Sequence, residues 1–468
     1  PTETAETIRF VLDHSGASLL FVGKLDTWQA QKPAVSDHLP CIAFPLAPPA
    51  HSDTWDSIPG RPEPTQGRPN RNADDLAMII YTSGSTGTPK GVMHSFGRVT
   101  RASEEITKDI VSRIGRPEEN RILSYLPLAH VFERAWVECA SLVDGQTHVY
   151  FADSLDTFLQ DLQRARPTTF ISVPRLWLKF QQGVFTKMPP KKLDRLLSIP
   201  ILGRIVAKKV LTGLGLNHVL LAGSGSAPIP AELIAWYRRL GLNLIEGYAM
   251  TEDFAYSHNS TEAINAPGCV GVPLPGVQVR ISDEGEILIK SPGQMVGYYK
   301  RPDLTAEAFT EDGFFRTGDR GERRKDGLLK ITGRVKELFK TSKGKYVAPA
   351  PIENIINAHP MVELSLVSGV GQPSAYAMVV LAEALRPRTT DAAVRQEVEQ
   401  EMAQLLKSVN NQVADYEQLK MIVIAREPWS IENGFLTPTM KIRRNRIESA
   451  VEQELDNWDA NRASVFWH

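Results

Sequence analysis

The sequence predicts an α/β protein, with a large N-terminal part built mainly on parallel sheet and a small α+β C-terminal part. Three observations predict it. Short apolar runs alternate with helical patterns, a polar Ser/Thr/Gly loop follows one such run, and residues 268–335 carry dense Gly and Asp turns between short strands. Buried strands spaced by amphipathic helices suit a parallel sheet covered on both faces. Short strands joined by tight turns suit an antiparallel one.

Taken in order, the chain opens with a helix and a strand. Ile8, Val11 and Leu12 recur at helical spacing, and residues 18–22 form a short apolar run. Residues 46–75 are rich in Pro, Asp, Gly and Asn and read as a surface loop or a link between sub-domains. Residues 76–81 read as a strand feeding the polar loop, and Val99, Ala102, Ile106 and Ile110 share one face of a helix after it. Further strands are expected at 148–151, 169–173, 218–222 and 242–245, and in the turn-rich stretch at 277–281 and 286–289. Beyond about residue 336 the pattern returns to mixed helix and strand.

Composition narrows the function. The chain has 53 Lys or Arg against 54 Asp or Glu, so no bulk field favours nucleic acid. Its 468 residues suffice for roughly two to four domains. Cys41, Cys139 and Cys269 lie far apart and form no CxxC pair, which disfavours a zinc site, a redox motif or a disulfide framework and fits a reducing compartment. No apolar run approaches the ~18 residues that cross a bilayer, and no signal peptide or amphipathic anchor stands out.

The sharpest motif is Tyr81-Thr-Ser-Gly-Ser-Thr-Gly-Thr-Pro-Lys-Gly91. Glycines let the backbone approach an anion, the hydroxyls add donors, and Lys90 adds a point charge suited to phosphate. It is no Walker A loop, which needs Ser or Thr directly after Gly-Lys. The loop resembles the signature of the adenylate-forming superfamily, which holds acyl-CoA synthetases, peptide-synthetase adenylation domains and firefly-type luciferases. The resemblance implies that Thr82, Ser83, Gly84, Ser85, Thr86, Gly87 and Lys90 hold the phosphates of ATP.

Companion motifs follow in the family's order. Glu246-Gly-Tyr-Ala-Met-Thr-Glu252 resembles the adenine and magnesium motif. Its implied roles are a stacking face on Tyr248, a hydroxyl on Thr251 for the α-phosphate and an oxygen ligand for Mg²⁺ on Glu252, with Ser85 near the metal. Glu246, Gly247 and Ala249 belong to the same motif, and Ala222-Gly-Ser-Gly-Ser-Ala-Pro228, with Gly225, resembles the family's strand-end loop that walls the adenine pocket and the acyl channel. Phe315-Arg-Thr-Gly-Asp319 resembles the ribose motif, with Asp319 accepting from both hydroxyls. In Ile331-Thr-Gly-Arg-Val-Lys-Glu337, Arg334 is implied to contact ribose or phosphate and Lys336 to be the hinge; Glu337 stands where Asp is usual. Lys340, Gly344 and Tyr346 match the loop that lines the pantetheine tunnel. Lys441 in Leu436-Thr-Pro-Thr-Met-Lys-Ile-Arg443 matches the C-terminal catalytic lysine, a cation able to bridge carboxylate and α-phosphate.

Met440 before that lysine, where Gly is usual, looks like the long-chain acyl-CoA synthetases. So do Tyr125-Leu-Pro-Leu-Ala-His-Val-Phe-Glu-Arg134 and Ser172-Val-Pro-Arg-Leu-Trp177, and His130 is implied to shape the acyl entrance. The expected activity is ATP-dependent activation of a long-chain fatty acid, with coenzyme A as acceptor and Mg²⁺ as cofactor. Rival readings are a carrier-protein acceptor or a non-catalytic nucleotide- or acyl-binding relative. The family implies a small distorted β-barrel within residues 1–335 and a mobile lid at 336–468. It also implies a monomer or homodimer in the cytoplasm, with room for peripheral contact at the inner face of a membrane. Starting at Pro1, the chain reads as lacking the family's N-terminal part.

Overall fold

The computed structural model describes residues 3–48, 53–58, 67, 70–83, 89–261, 263, 266, 268–437, 441–460 and 463–468. Its centre is a seven-stranded sheet in the order Val272–Pro273, His258–Asn259, Leu244–Tyr248, Leu221–Ser224, Thr169–Ser172, Asn120–Ser124, Thr147–Phe151. The last five are parallel, and the first two add an antiparallel edge. Leu162, Phe170, Trp177, Leu193, Leu216, Tyr237 and Leu244 are fully buried beside it. Burying a large apolar side chain contributes about 1.5–3 kcal/mol, so this cluster anchors the strands whose C-terminal ends form the site. The expected strand at 218–222 forms at Leu221–Ser224; Leu216 and Val219 instead pack in the turn before it, and Leu220 is exposed.

The polar loop has a different setting from the expected strand, loop and helix. Leu76–Ser83 pairs antiparallel with Pro89–Ser95, a second strand before the helix, so both described flanks of the motif are strand, with Thr82 opposite Lys90. Gly91 makes the pairing feasible: a Cβ there would lie 2.8 Å from Ile79 Cγ2. Gly297–Tyr298 adds a third strand. The helix Phe96–Ile114 then buries Ala102, Ile106 and Ile110, the expected face.

The turn-rich stretch forms a four-stranded antiparallel half-barrel of Gln278–Ile281, Glu286–Lys290, Phe315–Arg323 and Leu329–Arg334. At the N-terminus, the helix Ala5–Ser15 and the strand Leu20–Val22 take the expected order, while Cys41–Ala43 adds an unexpected strand and Asp53–Thr54 a short one in the region read as loop.

From Phe339 onward the chain has its own cores. Val362–Ser368, Ala375–Leu381, Leu419–Ile424 and Val465–Trp467 form one sheet, with Ile352, Val379, Val398 and Ile422 buried on one side and Met378, Val423, Trp429 and Ile447 on the other. Among the described residues no helix is long and apolar enough to cross a membrane.

Candidate active site

One end of the site is assembled from three strands. Leu244–Tyr248 delivers Tyr248, and Asp319 faces Arg334 across the Phe315–Arg323 and Leu329–Arg334 pair. The Tyr248 hydroxyl donates to Asp319 Oδ2 at 2.7 Å, and Arg334 Nε donates to Oδ1 at 2.8 Å. The Asp319 amide donates to Thr317 Oγ1 at 3.0 Å, and Thr317 in turn donates to the Ile287 carbonyl at 2.7 Å. Gly318 adopts φ 70°, the left-handed turn that tips the carboxylate inward. Burial, reinforced by the neighbouring carboxylate, holds the Tyr248 phenol well above its usual pKa, so it stays a donor. Gly225 and Gly247 face each other at the adjacent strand ends, where a Cβ on Gly225 would lie 3.5 Å from the Gly247 carbonyl. Ala249 packs beneath, and Glu246 is buried with its carboxyl pushed up to about 8 by burial.

The other end gathers charge. Tyr298 lies next to the hairpin strand Pro89–Ser95; Lys90 Nζ sits 5.2 Å from its ring centroid, and its hydroxyl donates to Glu252 Oε1 at 2.9 Å. Thr251 begins the 3-10 turn Thr251–Asp253, and its carbonyl accepts from His94 Nε2 at 2.9 Å. Burial lowers the His94 pKa to about 4, so the ring is neutral and its Nε2 proton points at that carbonyl. Asp253, buried and pushed up to about 8 by burial, accepts from the Met250 amide at 2.9 Å and fixes the turn. Gly84, Ser85, Thr86, Gly87 and the side chain of Ser83 lie outside the described residues, as does Met440.

Lys441 comes from the C-terminal part. Its backbone is tied on both sides: its amide donates to Thr437 Oγ1 at 3.0 Å and its carbonyl accepts from the Thr437 amide at 2.8 Å. Three residues on, Arg444 donates to the Val367 carbonyl at 2.8 Å and to Glu353 Oε1 at 2.8 Å. Lys441 is exposed to solvent. Even so, the protein crowded around its ammonium lowers the pKa, Arg334 adds to this, and Glu252, Asp319 and Glu337 oppose it. Burial, then Lys441, lowers the pKa of His130. The lysine therefore faces both ends of the site. Arg175 and Glu363 form an ion pair across the two parts.

The structure thus brings together Thr82, Lys90, Gly225, Glu246, Gly247, Tyr248, Ala249, Thr251, Glu252, Asp319 and Arg334, with Lys441 and His130 beside them. Lys336 is exposed on the turn Val335–Glu337 that links the parts. Lys340 and Tyr346 oppose each other on a hairpin held against the C-terminal sheet, with no bond to either end of the site among the described residues.

Sequence reading missed Tyr298, His94, Asp253 and Glu133. Glu133 is buried on a π-helical turn, Glu133–Cys139, three residues past His130. It accepts from Ser124 Oγ at 2.5 Å and so joins a strand end to the His130 segment. Burial pushes its carboxyl up to about 7. A signal was present for Asp253, since it extends the Thr251-Glu252 motif; none marked Tyr298 or His94.

The pattern of the AMP-binding enzyme family matches residues 1–299, and that of the AMP-binding enzyme C-terminal domain matches residues 337–461. The chain is 31% identical over 441 residues to human long-chain-fatty-acid–CoA ligase 1, covering 84% of this chain and 63% of that protein. It is 29% identical over 499 residues to long-chain-fatty-acid–CoA ligase FadD15 of Mycobacterium tuberculosis, covering 97% and 82%. Its fold matches the A domain of a carboxylic acid reductase from Segniliparus rugosus in complex with AMP and a carboxylic acid. There the TM-score is 0.77, with 24% identity over 98% of this chain and 77% of that one. It also matches the Bacillus subtilis O-succinylbenzoate coenzyme A synthetase in complex with AMP, with a TM-score of 0.69 and 20% identity over 95% and 81%.

Proposed function

The chain belongs to the AMP-binding enzyme family, and from that premise we propose that it activates a long-chain fatty acid as acyl-AMP and passes the acyl group to coenzyme A. One observation carries the reading: Tyr248 and Arg334 both bond Asp319, while the Lys441 ammonium lies in the field of Asp319, Arg334 and Glu252. A nucleotide held at Asp319 then has its α-phosphate between Glu252 and Lys441.

Adenylation brings two anions together. The fatty carboxylate oxygen attacks the α-phosphorus, the bond to the β-phosphate oxygen breaks, and pyrophosphate leaves. Lys441 bridges the carboxylate and the α-phosphate and offsets the charge that builds there. Lys90 holds the outer phosphates, and the Thr251 hydroxyl donates to the α-phosphate. Glu252 suits Mg²⁺: Tyr298 holds Oε1, while Oε2 accepts no hydrogen bond among the described residues, and the ion prefers one or two carboxylates plus phosphate oxygens. When bound, Mg²⁺ would neutralise phosphate charge.

In the second step the coenzyme A sulfur attacks the acyl carbon and AMP leaves. Lys441 and the thiol need the same face of the intermediate, so residues 336–468 act as a lid that turns about Lys336 and brings Lys340 and Tyr346 to the pantetheine. Substrate class is supported by the ligase relatives and by the 125–134 and 172–177 segments.

The test is pyrophosphate release with saturated and unsaturated acids of graded length, followed by coenzyme A addition. Release that peaks with long chains, then acyl-CoA, is expected. No release with any acid would overturn the activity; release without transfer to coenzyme A would point to another acceptor.

A further inference from the structure

The crossover from Thr169–Ser172 to Leu221–Ser224 carries two helices that the mechanism does not use, Pro190–Leu197 and Pro200–Gly213. The second buries Gly203, Ala207 and Leu211, residues spaced by four along one face. A Cβ on Gly203 would lie 2.5 Å from the Leu197 carbonyl, so the two helices are locked closely and their connecting turn has a fixed shape. That turn and the outer face are apolar where they should be polar. Ile199 and Leu202 are exposed, and Ile201 and Ile205 keep 79% and 60% of their surface in solvent.

Charge surrounds this knuckle asymmetrically. Residues 187–209 hold seven Lys or Arg and one acid, Asp194, in a chain whose net charge is -1. Asp194 is paired with Arg239 at 2.9 Å. Arg204 lies between Ile201 and Ile205 on the second helix and Lys208 and Lys209 follow them, while Lys191, Lys192 and Arg195 lie on the first; all are exposed. Lys208 also adds to the positive field at His218 together with Arg166 and Arg121.

We propose that this helix pair is a docking surface for an anionic lipid bilayer, with Ile201 and Ile205 entering the interface and the lysines meeting lipid phosphates. An exposed aliphatic face rimmed by Lys and Arg is what an interfacial helix presents, buried about 5–10 Å into the headgroup boundary. Protein interfaces concentrate aromatic residues and Arg in well-packed pockets, whereas this surface is an exposed aliphatic turn without an aromatic residue between Pro190 and Gly213. The charge complements phosphatidylglycerol or phosphatidylserine, each basic residue near such a surface adding attraction that salt screens.

Cosedimentation of the whole chain with vesicles tests this, without ATP or fatty acid, so its outcome is separate from the ligase reading. Partition into mixed phosphatidylglycerol and phosphatidylcholine vesicles should exceed that into phosphatidylcholine alone and fall with added salt. Lys208→Glu with Lys209→Glu should weaken it at least about tenfold, and Ile201→Ser with Ile205→Ser by about as much. Leu142→Ser, at an equally exposed apolar residue elsewhere, should leave it unchanged. Every variant changes an exposed side chain, and circular dichroism melts confirm folding. Equal partition into both vesicle types, or parent-like binding by the isoleucine variant, overturns the proposal. Loss of a dimer in that variant, read by sedimentation equilibrium, overturns it in favour of a second copy on this face.

Discussion

The two ends of the site are built on opposite principles. At the ribose end Asp319 is nearly buried, and both its oxygens are engaged before any ligand arrives. At the phosphate end Lys90 makes a ring contact, Glu252 has one oxygen held, and Lys441 is exposed to solvent. Pre-formed hydrogen bonds bind substrate and transition state alike, which sets affinity. Charge left without a close partner acts most strongly when opposite charge develops, which sets rate. Under the proposed function, the contrast assigns binding to one end and chemistry to the other.

The sharpest way to break this contrast is Lys441→Ala. Adenylation should fall about 10²–10³-fold in kcat, while thioester formation from supplied acyl-AMP persists; stopped-flow measurement of each half-reaction decides. Equal loss in both would place the lysine elsewhere. Asp319→Ala comes next: it leaves Tyr248 and Arg334 without their shared acceptor and should raise KM for ATP about tenfold to a hundredfold with kcat nearly kept. A fall in kcat at constant KM would erase the distinction between the ends.

Tyr298→Phe removes the hydroxyl on Glu252 Oε1. A charged hydrogen bond of this kind contributes about 1.5 kcal/mol, so the Mg²⁺ needed for half-maximal pyrophosphate release should rise roughly tenfold or less, with ribose binding untouched. The smallest effect concerns Glu246, beneath the ribose end. Its carboxyl rises from an ordinary 4.5 to about 8 on burial. Between these values the unfolded chain has released a proton that the folded chain keeps, so stability falls as pH rises, by up to about 1.4 kcal/mol per unit. Glu133 and Asp253 tilt the curve the same way. Urea melts between pH 5 and pH 7 should show a shallower fall in Glu246→Gln.

The ribose end was legible because its parts sit in contiguous motifs: Tyr248, Asp319 and Arg334 each lie in a short run whose residue types match their task. The five parallel strands were legible in part, since Thr147–Phe151 and Thr169–Ser172 are plain apolar runs. Asn120–Ser124 begins with two polar residues and was missed. The hairpin under the polar loop escaped because Pro89–Ser95 starts with Pro-Lys-Gly, and its strand form comes from pairing with Leu76–Ser83 and Gly297–Tyr298. Tyr298 escaped for a related reason: it lies 46 residues from Glu252, and nothing local announces their hydrogen bond. The lipid-facing helix pair also needed the structure, because Ile201 and Ile205 carry meaning only once Gly203, Ala207 and Leu211 are seen to face inward.

The tether on Lys441 has a kinetic consequence. With Thr437 fastening it at one side and Arg444 riveted to Glu353 and Val367 at the other, its peptide backbone cannot swing independently of the sheet behind it. The lysine is thus mounted on a fixed backbone, so one angle between the two parts would suffice to switch the active centre from its first task to its second, and the stiffness of that mounting would set how sharply the switch is thrown.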